Sequence, residues 1–457
     1  MDLYAKLLRH ALFPAYEGAR GRPTATLLRS LERTQWAPAE ELAAIQAGFL
    51  RRLVHHAYAH TAHYRQAWDA LGVTPGQLAS AADLAALPLL EREDARASAE
   101  RRVADVPPRP IITKSTSGST GRPVTIRYNA ESRHWRDADR WRGYGWAGYR
   151  VGDRALHYWG AAAAPAPRLA RAWAQLDHAL KRDRYLDCGR GDPAALDAVV
   201  ATVERFRPHV LVAFSQAAAR LARHVIATGR RTWDPIPVIC GAEKVWPADR
   251  ATIEAAFGPV FETYGSREVQ LIGAECDVHD GLHVSVEKLV VEVIVREDGR
   301  ARPARAGEVG EVVVTDLHNL AAPLIRYVTG DLAVARTDEP CRCGRTLPRI
   351  GLVEGRVTDT LRDGAGNPVS GLVFNVLMVT LAEQVAQFQV VQDARGAVTL
   401  KLVPAGATLA PAAEQLARSH AARYLPGVPL HLEVVDDIPT SAAGKRRVVV
   451  VEPPAAG

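Results

Sequence analysis

Between residues 151 and 245 the chain switches repeatedly between two kinds of segment. VGDRALHYWG, RPHVLVAFS and IPVICGAEK are short apolar runs. DPAALDAVVATVERF and QAAARLARHVIATG instead repeat apolar residues three and four apart, the period of a helix with one buried face. Short strands separated by covering helices predict a layered α/β sheet. The 457 residues exceed what one hydrophobic core holds, so two or more domains are expected.

The flanking regions read differently. Residues 1–100 are mostly helical in pattern, and VTPGQL and LPLLERED look like helix starts, the second with an acid-rich first turn. From about 284 to 335 the pattern is β-rich: LHVSVEKLVVEVIV, GEVGEVVVTDL and PLIRYVTGDLAVA, parted by turn residues. After VEGRV the last hundred residues suggest a small α+β unit. It would consist of a hairpin in FQVVQDARGAVTLKLVPA, a helix in PAAEQLARSHAARYL and a strand in PLHLEVVDDIP. The expected division is a large multi-layer N-terminal domain with mixed sheets and a β-rich subdomain, 1–355, and a small mobile C-terminal domain, 356–457, joined by a short hinge.

Composition narrows the partners. The charges are scattered and sum to only +6, which suits anionic small molecules better than a nucleic-acid groove. No run of 18 apolar residues predicts a membrane span, and the N-terminus lacks the apolar segment of a secretory signal; a cytoplasmic protein is expected. Five cysteines, an odd and sparse set, are not a disulfide framework; Cys188 and Cys240 read as packed small hydrophobes.

KSTSGSTGRPVTI, Lys114 to Ile126, crowds hydroxyls and glycines between two cations and a strand. Small residues let backbone N–H groups approach a ligand, and hydroxyls add rotatable donors, so such a loop can cradle a polyphosphate. It is not a Walker A loop, since no Gly-Lys-Ser/Thr follows, and a plain surface turn has the same composition. Three further stretches bear on it. ETYGSREV carries Tyr264, Gly265 and Glu268; LIRYVTGDLA carries Arg326, Tyr327, Thr329, Gly330 and Asp331; IPTSAAGKRRVVV carries Lys445. An aromatic beside a glycine suits a stacked base, a carboxylate suits a ribose diol or Mg²⁺, and a lysine suits developing phosphate charge.

These four motifs, in this order, resemble the adenylate-forming enzymes: acyl-CoA synthetases, peptide-synthetase adenylation domains and luciferase. The likeness spans roughly residues 50–450. RRVADVPPRPIITKSTSGSTG, GAECDVHDGLHV, PCRCGRTLPRI and GLVFNVLM make the chain most similar to the phenylacetate–CoA ligase group and its relatives of the coenzyme F390 synthetase and capsule-locus type. The resemblance implies ATP-dependent joining of an aryl or other organic acid to AMP with release of pyrophosphate. It implies that Ser115, Thr116, Ser117, Gly118, Ser119, Thr120 and Gly121 cover the phosphates. Gly241, Ala242 and Glu243 would lie beside adenine, although Glu243 at a strand end could equally cap a helix. Tyr264, beside Gly265 in the same binding site, would stack on the base, Glu268 would hold Mg²⁺, Asp331 with Arg356 would bind the ribose, and Lys445 would reach the α-phosphate.

The hinge departs from that pattern. Relatives have Gly-Arg-x-Asp-Asp, and here Thr358 replaces the first Asp, leaving Asp359. The acceptor is therefore open: CoA, another thiol, an amine, or none. An adenylyltransferase that leaves AMP on its product, and a catalytically weak scaffold relative, are the alternatives; the expected assembly is a monomer or homodimer. The same family likeness implies structural zinc on Cys276, His283, Cys341 and Cys343, with His279 the rival ligand. The aromatic stretch SRHWRDADRWRGYGWAGYR reads as core packing, with Trp159 and Gly160 placed to approach substrate.

Overall fold

The computed structural model describes residues 2–115, 125–160, 168–242, 245, 247–297, 300–337, 339–354, 360–370, 372–381, 384–404, 406, 408–436, 438 and 449–452. The chain forms two compact units. One comprises 1–114, 125–153 and 261–356; the other comprises 115–124, 154–260 and 357–457.

The first unit begins with helices, as the spacing predicts. Ala39–His60 runs to Thr61, whose hydroxyl accepts the Tyr64 N–H and so starts the next helix, Ala62–Leu71. Gly72 ends that helix at φ 67°, a left-handed position that glycine adopts without strain. The β-rich region is an antiparallel sheet. Its strands run in the order Arg300–Pro303, Leu289–Glu297, Val309–Asp316, Tyr327–Ala335, Arg349–Glu354, Leu282–Val284, Gln270–Ala274 and Val260–Ser266.

One departure from expectation is informative. LHVSVEKLVVEVIV is not one strand: it breaks at Ser285–Lys288. The reason is charge. Glu287 and Lys288 are each 1% exposed and meet the buried charges of helix Ala130–Trp146. Arg142 Nη1 lies 2.8 Å from Glu287 Oε1, Lys288 Nζ 2.5 Å from Asp139 Oδ2, and Arg136 Nη2 2.6 Å from Asp316 Oδ2. Three cations thus meet three carboxylates out of water, where each charge depends on its partner. The aromatic stretch lies on this helix, and Trp135, Trp141 and Trp146 are buried, as packing predicts.

In the second unit Val238–Gly241, Val210–Phe214, Ala155–Trp159 and Asp183–Asp187 form a parallel sheet in that order. Val210–Phe214 is buried at every residue, as a central strand covered on both faces must be. Helix Pro193–Phe206 starts where Asp192 accepts the Ala195 N–H at 3.0 Å, with Pro193 in the first turn. Cys188 and Cys240 pack in this core.

The last hundred residues hold their own sheet: Leu430–Val434, Val398–Pro404, Val385–Gln392 and Val449–Val451. The expected hairpin closes through Asp393, whose Oδ1 accepts the N–H groups of Arg395 and Ala397, while Gly396 supplies φ 88°. Helices Leu372–Thr380 and Pro411–Tyr424 complete this small core. The second ends against the turn after Asp183–Asp187: Asp187 Oδ2 accepts from Tyr424 at 2.9 Å and pairs with Arg423 at 2.7 Å. Among the described residues, no helix is long and apolar enough to cross a membrane.

Candidate active site and Cys/His centre

The ETYGSREV motif is a tight hairpin. Val260–Ser266 pairs with Gln270–Ala274, the register shifts between Tyr264 and Gly265, and Gln270 turns the chain at φ 60°. Glycine is required at 265 because a Cβ there would sit 2.5 Å from the Gln270 carbonyl oxygen. Lys288 supports the returning strand, its ammonium donating to the carbonyls of Val269, at 3.4 Å, and Leu271.

Two carboxylates converge on this hairpin with different partners. The Tyr264 phenol donates to Asp331 Oδ2 at 2.9 Å and lies 3.2 Å from Thr329 Oγ1, which itself donates to the Val312 carbonyl. Burial, and then the Asp331 carboxylate, hold the Tyr264 phenol well above its usual range. Glu268 is 4% exposed. Its Oε1 accepts from the Tyr327 hydroxyl at 3.0 Å and lies 3.6 Å from Arg92 Nη2. The structure therefore brings together Tyr264, Gly265, Glu268 and Asp331, which the motifs single out separately. A hard carboxylate oxygen such as Glu268 Oε2, which takes neither contact, suits Mg²⁺.

Arg92 is the residue that motif reading missed. It opens the helix Arg92–Ala97, where the dipole favours anions. A cation at that position is the one local signal that could have found it.

In the second unit Ser115 ends strand Ile111–Ser115, and Gly241 ends strand Val238–Gly241. Ala242 follows at φ 69°, a left-handed conformation uncommon for a residue with a Cβ. Thr116, Ser117, Gly118, Ser119, Thr120, Gly121, Glu243, Arg356, Thr358, Asp359 and Lys445 lie outside the described residues.

The structure brings the four Cys/His residues singled out above into one cluster. Single ligand atoms of Cys276, His283, Cys341 and Cys343 all lie within 4.8 Å of one another. Cys276 Sγ is 3.8 Å from Cys341 Sγ, and His283 Nε2 is 3.4 Å from Cys343 Sγ. The Leu347 carbonyl takes the His283 Nδ1–H at 3.0 Å, which turns Nε2 toward the sulfurs, as a ligating imidazole requires. His279 stands apart, with Nδ1 3.3 Å from Glu275. Burial pushes the His283 pKa down to about 4, so it is neutral at pH 7. Burial, then Cys343 and Cys341, pushes Cys276 up to about 12. Burial opposes ionisation of Cys343 as well, but hydrogen bonds with Arg345, Cys341 and Cys276 outweigh it and hold that thiol below its usual range; a bound divalent ion would favour the thiolate at every cysteine of the set. Three sulfurs and one imidazole fit tetrahedral zinc.

Residues 362–452 match the family model of the CapK C-terminal domain. Over 346 residues, 72% of this chain and 74% of the relative, the sequence is 29% identical to phenylacetate-coenzyme A ligase of Aromatoleum evansii. Over 384 residues, 79% and 80%, it is 28% identical to the phenylacetate-coenzyme A ligase of Thermus thermophilus. The chain is similar to the adenylate-forming ligases of the phenylacetate–CoA ligase and CapK group. The fold agrees with this family: the crystal structure of a 2-hydroxyisobutyryl-CoA ligase in its postadenylation state superposes with a TM-score of 0.59 at 22% identity, covering 92% of this chain and 91% of that one.

Proposed function

We propose that this ligase activates an organic acid, an aryl acid foremost, with ATP and then passes the acyl group to CoA or another acceptor. The observation that carries the reading is the Tyr264–Asp331 hydrogen bond of 2.9 Å with Glu268 on the same hairpin as Tyr264. In this reading a carboxylate oxygen of the substrate attacks the α-phosphorus. The new P–O bond forms as the α–β bridge breaks, and pyrophosphate leaves. A thiolate then attacks the acyl carbon and AMP departs. The names of the phenylacetate-coenzyme A ligase relatives support both the acid and the thiol.

Positioning and charge neutralisation supply the catalysis. We assign the phosphates to the loop Ser115–Gly121, the adenine edge to Gly241, Ala242 and Glu243, and the base face to Tyr264 and Gly265. Asp331 and Arg356 take the ribose, and Lys445 takes the developing charge at the α-phosphate. Glu268 would hold Mg²⁺, which would supply charge neutralisation at the phosphates. Cys276, His283, Cys341 and Cys343 would hold zinc as a structural clasp. The division at 355/356 into an adenylation domain and a lysine-bearing domain, and a cytoplasmic setting, belong to the same reading.

A second reading concerns the acceptor alone. Thr358, standing where relatives have the hinge Asp, favours an acceptor other than CoA, up to an adenylyl group left on the product. Acids screened by pyrophosphate release, with and without CoA, test both readings. Acid-dependent release with a thioester mass supports the first, and an AMP adduct supports the second. No release with any acid overturns both.

A further inference from the structure

The Glu268 carboxylate is held by more than its own motif. The segment before helix Arg92–Ala97 is zipped to the strand that carries Thr329 and Asp331. Leu90 N–H donates to the Arg326 carbonyl at 2.8 Å, the Val328 N–H donates back to Leu90 at 3.0 Å, and Leu90 forms an isolated parallel bridge with Tyr327. Leu90, Tyr264 and Tyr327 share one buried cluster. This fixes where the Arg92 backbone stands relative to the two carboxylates.

From that fixed start the guanidinium, 17% exposed, reaches in. Nη1 donates to the Thr329 carbonyl at 3.0 Å, and Nη2 comes within 3.6 Å of Glu268 Oε1. Its Nε is buried and has no acceptor among the described residues. A half-buried cation with an orphaned donor, at a helix position that disfavours cations, does not serve local stability. Glu268 Oε1 also takes the Tyr327 hydroxyl, so a neutral donor and a nearby cation face the same oxygen.

We infer that Arg92 is a positioning residue for the metal-binding carboxylate. With Tyr327 it occupies Oε1 of Glu268, and so presents Oε2 to a divalent cation. Through the Thr329 carbonyl it holds the Asp331 strand in step with that carboxylate. This inference rests on the assignment of Glu268 above. Arg92 touches no reacting atom; it acts through Glu268.

The test is a Mn²⁺ titration, read by electron paramagnetic resonance, of the whole protein with a non-hydrolysable α,β-methylene ATP analogue. Arg92→Met should raise the half-saturating Mn²⁺ concentration about five-fold, the scale of one charge-assisted contact. Arg92→Lys, which keeps a cation, should restore most of it. Thermal unfolding controls for folding. An Arg92→Met protein that folds and binds Mn²⁺ as the wild type does overturns the inference alone. So does tighter binding, since Arg92 would then be only a competitor of the metal. Wild-type protein that binds no Mn²⁺ with the nucleotide analogue overturns the assignment of Glu268 itself.

Discussion

The ring of Tyr424 lies on Gly189 so closely that a Cβ at position 189 would stand 1.5 Å from the ring Cε1. The Tyr424 hydroxyl donates to Asp187 at 2.9 Å, and Asp187 Oδ1 in turn accepts the Gly189 N–H at 3.0 Å. Steric fit and a shared carboxylate thus seat the end of helix Pro411–Tyr424 on one turn. Gly189→Val pushes the Tyr424 ring, itself at the edge of the small core that surrounds the helix, off that seat. Amide exchange should rise at residues 418–424, with little change in strands Val385–Gln392 and Val398–Pro404. Unchanged exchange at 418–424 would show the contact to be incidental.

Gly265→Ala forces a methyl group against the Gln270 carbonyl, 2.5 Å away, at the base of the hairpin that carries Glu268. The strands must part for it to fit. We expect a loss of about 1–3 kcal/mol in stability, together with a loss of metal-dependent nucleotide binding. Calorimetric unfolding and nucleotide titration read the two effects separately.

Metal analysis of the purified protein should give about one zinc per chain. Trp146 meets His283 edge-on at 5.4 Å, and the Arg345 guanidinium lies 5.0 Å from the Trp36 ring and 5.3 Å from Trp146. Chelation should therefore change tryptophan emission and lower the unfolding temperature, and Cys341→Ser should do the same. A metal-free protein of unchanged stability would refute the zinc assignment.

Lys445→Ala should abolish acid-dependent pyrophosphate release and leave ATP binding largely intact. Lysine at that place acts on charge that develops during the reaction, more than on ground-state affinity. Release at the wild-type rate would remove Lys445 from the mechanism.

Residue patterns that repeat or cluster were legible in the sequence. The α/β alternation and the C-terminal hairpin carry a local period or spacing, and the Cys/His set is carried by the family resemblance. His283 and His279 could not be separated by spacing, because the choice depends on the Leu347 carbonyl, 64 residues from His283. Arg92 was hidden for a related reason: beside Glu91, Glu93 and Asp94 it looks like one charge of a solvated helix face. Lys288 was hidden by alternation, since a charged residue in a β-like run is expected to point to water. Its partner, Asp139, is 149 residues away in the sequence. The expected packing of the aromatic stretch was right, because a tryptophan every few residues on one helix has little other use.

The neutral cluster of Arg136, Asp139, Arg142, Glu287, Lys288 and Asp316 has a consequence for how this chain can change. Losing one member strands a charge away from water, at a cost of about 3–5 kcal/mol, comparable to much of a domain's stability. Lineages can cross that gap only by paired replacement, so Arg142 with Glu287, and Asp139 with Lys288, should vary together or not at all. Anyone recombining this ligase with relatives to alter its acid preference should move helix Ala130–Trp146 and the turn 285–288 as a single block.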